Sequence, residues 1–374
     1  MTQTNPTKLE TSSTIIQRRA IANIKDMITP RETPFLDLIG FDGATKFNIE
    51  PVPGNYKIEW IEDNLRTLTG ALAGGTYATD TTALTTSTAA YLAAGDVILV
   101  DSEKMWISAV STTGATANRA YDGTTAATHA CNAAWEVVGN ARTEAAAATY
   151  GPTEDYTTNY NYIQTFQKGL KMSRHAADMA QYGISNEWAN QVDKATPEML
   201  RMLEISIFRN ATRTARTGST APAFMGGFDA FITDNTATSA TTALTITALE
   251  DMIVSCYLDG GNPDVVALHP STLKSIIALY HNSQYLKIDR ETNEMGMTIE
   301  YLDTPWARMR LIQGRNIPAT RMLFLQSEYV GIVEAVPFFW KEYNPEGDYL
   351  SSEIIGDYSL VVKNDKAHAR WVLS

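Results

Sequence analysis

The chain has 374 residues, of which 44% are hydrophobic and 19% charged, and its formal net charge is −12. That length can bury a sizeable core in two or more domains, and the negative balance excludes a protein whose whole surface grips nucleic acid, which needs clustered Lys and Arg. The charged share falls below the usual quarter and is replaced by Thr, Ala, Ser and Asn, a mix suited to neutral, β-rich surface that packs against copies of itself.

Met1 to Ser13 is rich in Thr, Asn and Gln and reads as a segment without fixed structure until it meets a partner. Ile15, Ile16, Ile21, Ile24 and Ile28 predict a short amphipathic helix that Pro30 stops. Extended chain is expected next, anchored by Thr33-Pro34-Phe35 with Leu36, Leu38 and Ile39. Up to Pro34, five basic residues (Lys8, Arg18, Arg19, Lys25, Arg31) oppose three acidic ones (Glu10, Asp26, Glu32), so this arm carries +2. Tyr56 to Trp60 alternates apolar and polar, as does the run Tyr160, Tyr162, Gln164, Phe166, Leu170 and Met172. These two strands are expected to pair as limbs of a long antiparallel hairpin. Thr158 to Met172 alone would reach about 50 Å.

Between the limbs, Ala71 to Ala141 is rich in Ala, Thr and Gly, and its two basic residues face six acidic ones, a net of −4. Gly95 to Val110 reads as two strands around a tight turn, and Tyr121-Asp122-Gly123-Thr124 as a turn with Gly where a positive φ costs least. An inserted, independent β-domain is expected. Ser185 can cap a long helix to about Arg213, with Trp188, Val192, Ala195, Met199, Met202, Leu203 and Ile207 on one face. Pro197 should kink it, or split it into two helices with Thr196 as the second cap. A loop at Thr217 to Thr220 precedes helix Thr247 to Leu258, strand Val265 to Leu268 and helix Ser271 to His281. Strands follow at Arg308 to Gln313, Met322 to Gln326, Gly331 to Glu334 and Ser359 to Val362, which completes an α+β domain.

Residues that could carry chemistry are few. His129, His175, His269, His281 and His368 are scattered, and none has a metal-ligand spacing. Cys131 and Cys256 stand too far apart in sequence for a disulfide framework or a metal motif. Neither a nucleophile elbow nor a phosphate-binding Gly-rich loop occurs, and Met225-Gly226-Gly227-Phe228 reads as a turn. The paired carboxylates Asp101 and Glu103 are expected on a surface hairpin, facing solvent. No catalytic, cofactor-binding or metal-binding residue is assigned, and the chain is not expected to be an enzyme or to need a cofactor. Met1 to Glu10 lacks an apolar signal core and no run approaches a membrane span, so a soluble protein made in the cytoplasm is expected.

The order of parts resembles a known family. Arm, hairpin, long helix and α+β domain follow one another as in the HK97-fold major capsid proteins, and more closely as in the SU10-type branch. The resembling stretches are Thr33-Pro34-Phe35; Asn161 to Ser173; Leu200 to Ile207 with Glu204; Gly226-Gly227-Phe228; and Ile355 to His368. Gly95-Asp96-Val97 through Glu103, Arg119, Gly123 to Ala127 and His129 resemble a small β-barrel module common in phage structural proteins, with Ala120 where Gly is more usual. The resemblance implies an N-terminal arm (1–45), extended-loop limbs (46–70 and 142–180), an inserted β-barrel-like domain (71–141), a peripheral domain with a spine helix (181–225) and an axial domain with returning strands (226–374). It implies hexamers and pentamers of this chain in an icosahedral or prolate shell around double-stranded DNA, in a virion assembled in the host cytoplasm. Portal, scaffold and decoration proteins are the further partners, with DNA held nonspecifically and no membrane involved. Some relatives cross-link Lys to Asn; Lys168 lies on the hairpin, but no matching motif carries that chemistry over. The alternatives are an encapsulin-like nanocompartment shell and a particle-surface binding module.

Overall fold

The computed structural model describes residues 32–51, 55–86, 91–146, 156–179, 186–218, 220–239, 244–282, 301–344 and 347–373. The helix expected at Ile15 to Ile28 lies outside them, as does Ser185. The chain divides into two units, one built from Met1–Trp60 with Tyr160–Ser374 and the other from Ile61–Asn159.

In the first unit, a six-stranded mixed sheet carries strand Val265–Leu268 near its centre, parallel to Arg308–Gln313 and antiparallel to Arg321–Leu325. All four residues of Val265–Leu268 are buried, as a strand covered on both faces requires. Val265 and Ala267 point into one core, Val266 and Leu268 into another. Helix Ile246–Leu258, whose first turn is capped by the Thr245 hydroxyl on the Ala248 N–H, packs into the second core, which Ile276 of helix Pro270–Asn282 also joins. His269 has a structural part: its ring Nδ1 accepts from the Ser271 N–H at 3.2 Å at the start of that helix.

The first core gathers around the spine helix Glu187–Arg209. Asn186, not Ser185, caps it, and it ends at Asn210 rather than near Arg213. It runs through Pro197 as one helix, so Thr196 starts no second one. Ala195, Met199, Leu203, Ile207 and Phe208 are buried along it, whereas Met202, expected on the same face, is half exposed. One step of 100° separates Met202 from Leu203, and only the partner surfaces decide which side is covered.

Strand pairing corrects the sequence reading most. The run expected as one strand from Thr158 to Met172 is two, Thr157–Tyr162 and Gln164–Ser173. Only the first pairs with the opposite limb, Lys57–Glu62. The second pairs antiparallel with Tyr349–Val362, which in turn pairs with Val330–Tyr343. Those two strands have 14 residues each, far beyond the four-residue pieces Gly331 to Glu334 and Ser359 to Val362. Val330–Tyr343 runs past Pro337, because register shifts on both sides of Val336 form a bulge that takes in the proline. The expected extended chain at Pro34 is also a helix, Pro34–Ile39, with Pro in its first turn where the missing N–H costs nothing.

In the second unit, Thr69–Ala73, Ala83–Thr86, Asp96–Val100, Glu103–Ser111, Gly114–Asn118 and Ala134–Asn140 close into a six-stranded barrel. Leu72, Leu84, Ile98, Met105, Ile107 and Trp135 fill its interior, and burial alternates most clearly along Ala83–Thr86 and the first half of Glu103–Ser111.

Candidate functional site

Stretches far apart in sequence meet at the C-terminal half of the spine helix. Glu204 is fully buried there. Its Oε1 accepts the Phe35 N–H at 3.1 Å and its Oε2 accepts the Asn316 amide, whose own oxygen takes a hydrogen bond from Arg201 Nε at 3.1 Å. Burial raises the Glu204 carboxyl above the ordinary range, against the pull of these two donors. Phe35 sits edge-on to Phe208 at 4.9 Å and to Phe228 at 5.4 Å. The tight approach explains Gly227, which caps the short helix Phe228–Phe231 rather than a free turn. A Cβ there would lie 2.4 Å from the Ile207 carbonyl oxygen. Asn161, also fully buried, uses its whole amide. Nδ2 donates to the Gly226 and Leu360 carbonyls at 3.1 and 2.7 Å, and Oδ1 accepts the Gly226 and Tyr162 N–H groups at 2.8 Å each.

The second cluster lies in the barrel and overturns the expectation that Asp101 and Glu103 both face solvent. Asp101 is exposed, but Glu103 is fully buried. Arg119 holds it with a two-pronged grip, Nε to Oε1 and NH2 to Oε2, both 2.7 Å. The Ala120 and Ala127 N–H groups donate to it at 2.9 Å each, and His129 Nε2 lies 2.9 Å away. Burial works against the charged form, yet Arg119, the two backbone donors and His129 outweigh it and hold the carboxyl at about 2. Arg119 NH1 also donates to the Ala78 and Thr81 carbonyls at 2.8 and 2.9 Å. This cluster accounts for the spacing of Glu103, Arg119 and His129. A buried Asp96 does the same for Gly95-Asp96-Val97, accepting from Ala93 N–H, Arg66 NH1 and Asn140 Nδ2 at 2.8 to 2.9 Å. The signal that could have found Glu103 is strand alternation, which puts it on the same side as the buried Met105 and Ile107.

Neither cluster has the geometry of a catalytic centre: both oxygens of the buried carboxylates Glu204 and Glu103 are taken by protein donors. Among the described residues, no three His, Cys, Asp or Glu side chains are placed to hold a metal ion, and no helix is long and apolar enough to cross a membrane. Cys131 and Cys256 are both free thiols, one exposed and one buried.

The family model of the SU10 major capsid protein matches residues 3–372. The chain belongs to the SU10 major capsid protein family. It is thus a shell-forming structural protein of a phage head and not an enzyme, it assembles with copies of itself, and its place is the virion capsid. No curated protein matches the sequence. Among solved structures, the chain is similar to one from Mycobacterium phage Ogopogo, with 15% identity, a TM-score of 0.43, and 63% of this chain and 83% of that one covered. The Cyanophage A-1(L) capsid asymmetric unit matches with 12% identity and a TM-score of 0.47, covering 63% and 84%. The holo-SrpI encapsulin complex from Synechococcus elongatus matches with 14% identity and a TM-score of 0.40, covering 58% and 77%. Membership in the capsid family rests on the match over nearly the whole chain.

Proposed function

We propose that this SU10-family capsid protein builds the icosahedral or prolate head of a tailed phage from hexamers and pentamers, and that the head encloses packaged double-stranded DNA. The observation that supports this best is the apolar surface left uncovered by the single chain. In the second unit Ile61, Leu65 and Tyr156 are 63%, 93% and 67% exposed on the limb segments outside the barrel. Large apolar side chains at that exposure suit a surface that a neighbouring subunit covers. The parts take the roles of arm (1–45), limbs (46–70 and 142–180), inserted domain (71–141), peripheral domain (181–225) and axial domain (226–374). The arm, at +2, lines the inner surface near the polyphosphate, and the acidic insertion decorates the outside. Portal, scaffold and decoration proteins complete the assembly, which takes place in the host cytoplasm.

Electron microscopy of the purified recombinant chain tests the shell, and nuclease digestion of filled particles tests the content. Closed shells and nuclease-protected double-stranded DNA are expected. A stable compact monomer at high concentration, or closed shells filled with protein cargo and no nucleic acid, would overturn the proposal. A protease of broad specificity acting on sealed particles should cut the loops between Ala71 and Ala141, while trypsin should spare Arg18, Arg19 and Lys25 of the arm. Rapid loss of the arm would reverse its inward assignment.

A further inference from the structure

We propose that the C-terminal end of the spine helix carries a contact for the sugar-phosphate backbone of double-stranded DNA, formed by Arg209, Arg213, Arg216 and Arg315, with the basic arm rooted beside it. The inference rests on the reading that the shell encloses DNA. From Ile205 to Phe228 the sequence holds three arginines and no acid, in a chain of net charge −12. Arg209 lies in the last turn of the helix, where a cation also suits the negative helix end. Arg213 and Arg216 lie beyond it, so the helix gives no reason for them. Backbone hydrogen bonds between Thr214 and Phe224 and between Thr217 and Ala221 fold this stretch into a narrow hairpin. Arg213 stands at its base, its guanidinium 4.2 Å from the Tyr160 ring centre and hydrogen-bonded to the Tyr160 carbonyl. Arg209 and Arg216 are exposed, as are Thr212, Thr214 and Thr217. Arginine and threonine side chains are common donors to phosphate oxygens.

Tertiary contacts add to this cluster. The Asn316 amide donates to Glu204 on the same half of the helix, which brings the exposed Arg315 there. Phe35, at the root of the arm, meets Phe208, the neighbour of Arg209, at 4.9 Å. Among the described residues, Arg209, Arg216 and Arg315 have no carboxylate partner. The acids that the same contacts bring near are the exposed Glu32 and Asp37. Asp229, next to Phe228, is taken by Arg321 and Arg370, and Glu204 is buried under its own donors. Exposed arginines without partners in so acidic a chain suit an anion supplied from outside. Inside a filled head that anion is the DNA phosphate.

Arginine footprinting of filled particles with phenylglyoxal, against the same particles after osmotic release of the DNA, tests this. A phosphate contact ties up the guanidinium, so Arg209, Arg216 and Arg315 should react about tenfold more slowly in filled particles. Arg308, held by an exposed pair with Asp303, serves as the internal reference. Equal, fast reaction of the three arginines in both preparations would overturn the contact and leave the DNA-filled shell standing. Slow reaction in both would also overturn it, since a neighbouring subunit and not DNA would then cover them. Particles without nuclease-protected DNA would sink the reading of the shell itself, and the contact with it.

Discussion

Replacing Arg119 with Met keeps most of the apolar stem and removes the guanidinium from a fully buried carboxylate. The magnitude follows from Glu103 itself. Its carboxyl sits at about 2 instead of 4.5, which at ~1.4 kcal/mol per tenfold amounts to ~3 kcal/mol in favour of the folded, ionised form. Because the folded value is depressed, this contribution is full above 4.5 and is lost as pH falls through about 2, so the comparison belongs at pH 7. Arg119 supplies the strongest of the favourable interactions, and the variant also frees the Ala78 and Thr81 carbonyls. Breaking a buried pair by deleting one partner costs about 3–5 kcal/mol. Hydrogen exchange of the barrel strands Glu103–Ser111 and Gly114–Asn118 reads the opening of this unit directly, and the loss corresponds to an acceleration of roughly a hundredfold or more. The spine helix should be unaffected. Lys104→Met, which breaks the exposed pair with Asp122, should change little. If Arg119→Met accelerates barrel exchange less than threefold, the buried pair does not hold the barrel together.

Ala120 adopts a left-handed backbone at φ 53°, where a Cβ costs about 1–2 kcal/mol and glycine does not, at an entropic cost of ~0.5–1 kcal/mol. Ala120→Gly should therefore stabilise the barrel slightly, by up to about 1 kcal/mol, and slower strand exchange in the variant is the check; faster exchange would contradict it. His368 is buried with its ring value pushed down to about 4 by desolvation. Below 6.5 the unfolded chain takes up a proton that the folded one refuses, so stability should fall by ~3 kcal/mol between pH 6.5 and 4. Denaturant titrations at both pH values should show that component missing in His368→Gln. Gly227→Ala places a methyl against the Ile207 carbonyl and should cost at least 1–3 kcal/mol, seen as a lower melting temperature of the unit that holds the spine helix; an unchanged melt would mean the helix end gives way freely.

Local pattern alone settled much of the secondary structure. Val265–Leu268 and Arg308–Gln313 fall where four and six apolar-rich residues between turn signals put them, and the two strands of Gly95 to Val110 surround their turn as read. The family motifs were also visible as stretches, although nothing in their spacing said that Phe35, Glu204, Gly227 and Asn161 converge on the end of one helix. Tertiary structure decided the rest for definite reasons. A period of two tells which side of a strand is apolar but not which strand lies alongside, so Gln164–Ser173 could be assigned to the wrong partner until Tyr349–Val362 was seen beside it. Strand length is likewise set by pairing: Val330–Tyr343 runs on through a bulge at Pro337 because Tyr349–Val362 lies beside it. And a carboxylate reads as solvent-facing until its counter-charges arrive. For Glu103 the charge comes from Arg119, 16 positions away, brought to it only when the barrel closes.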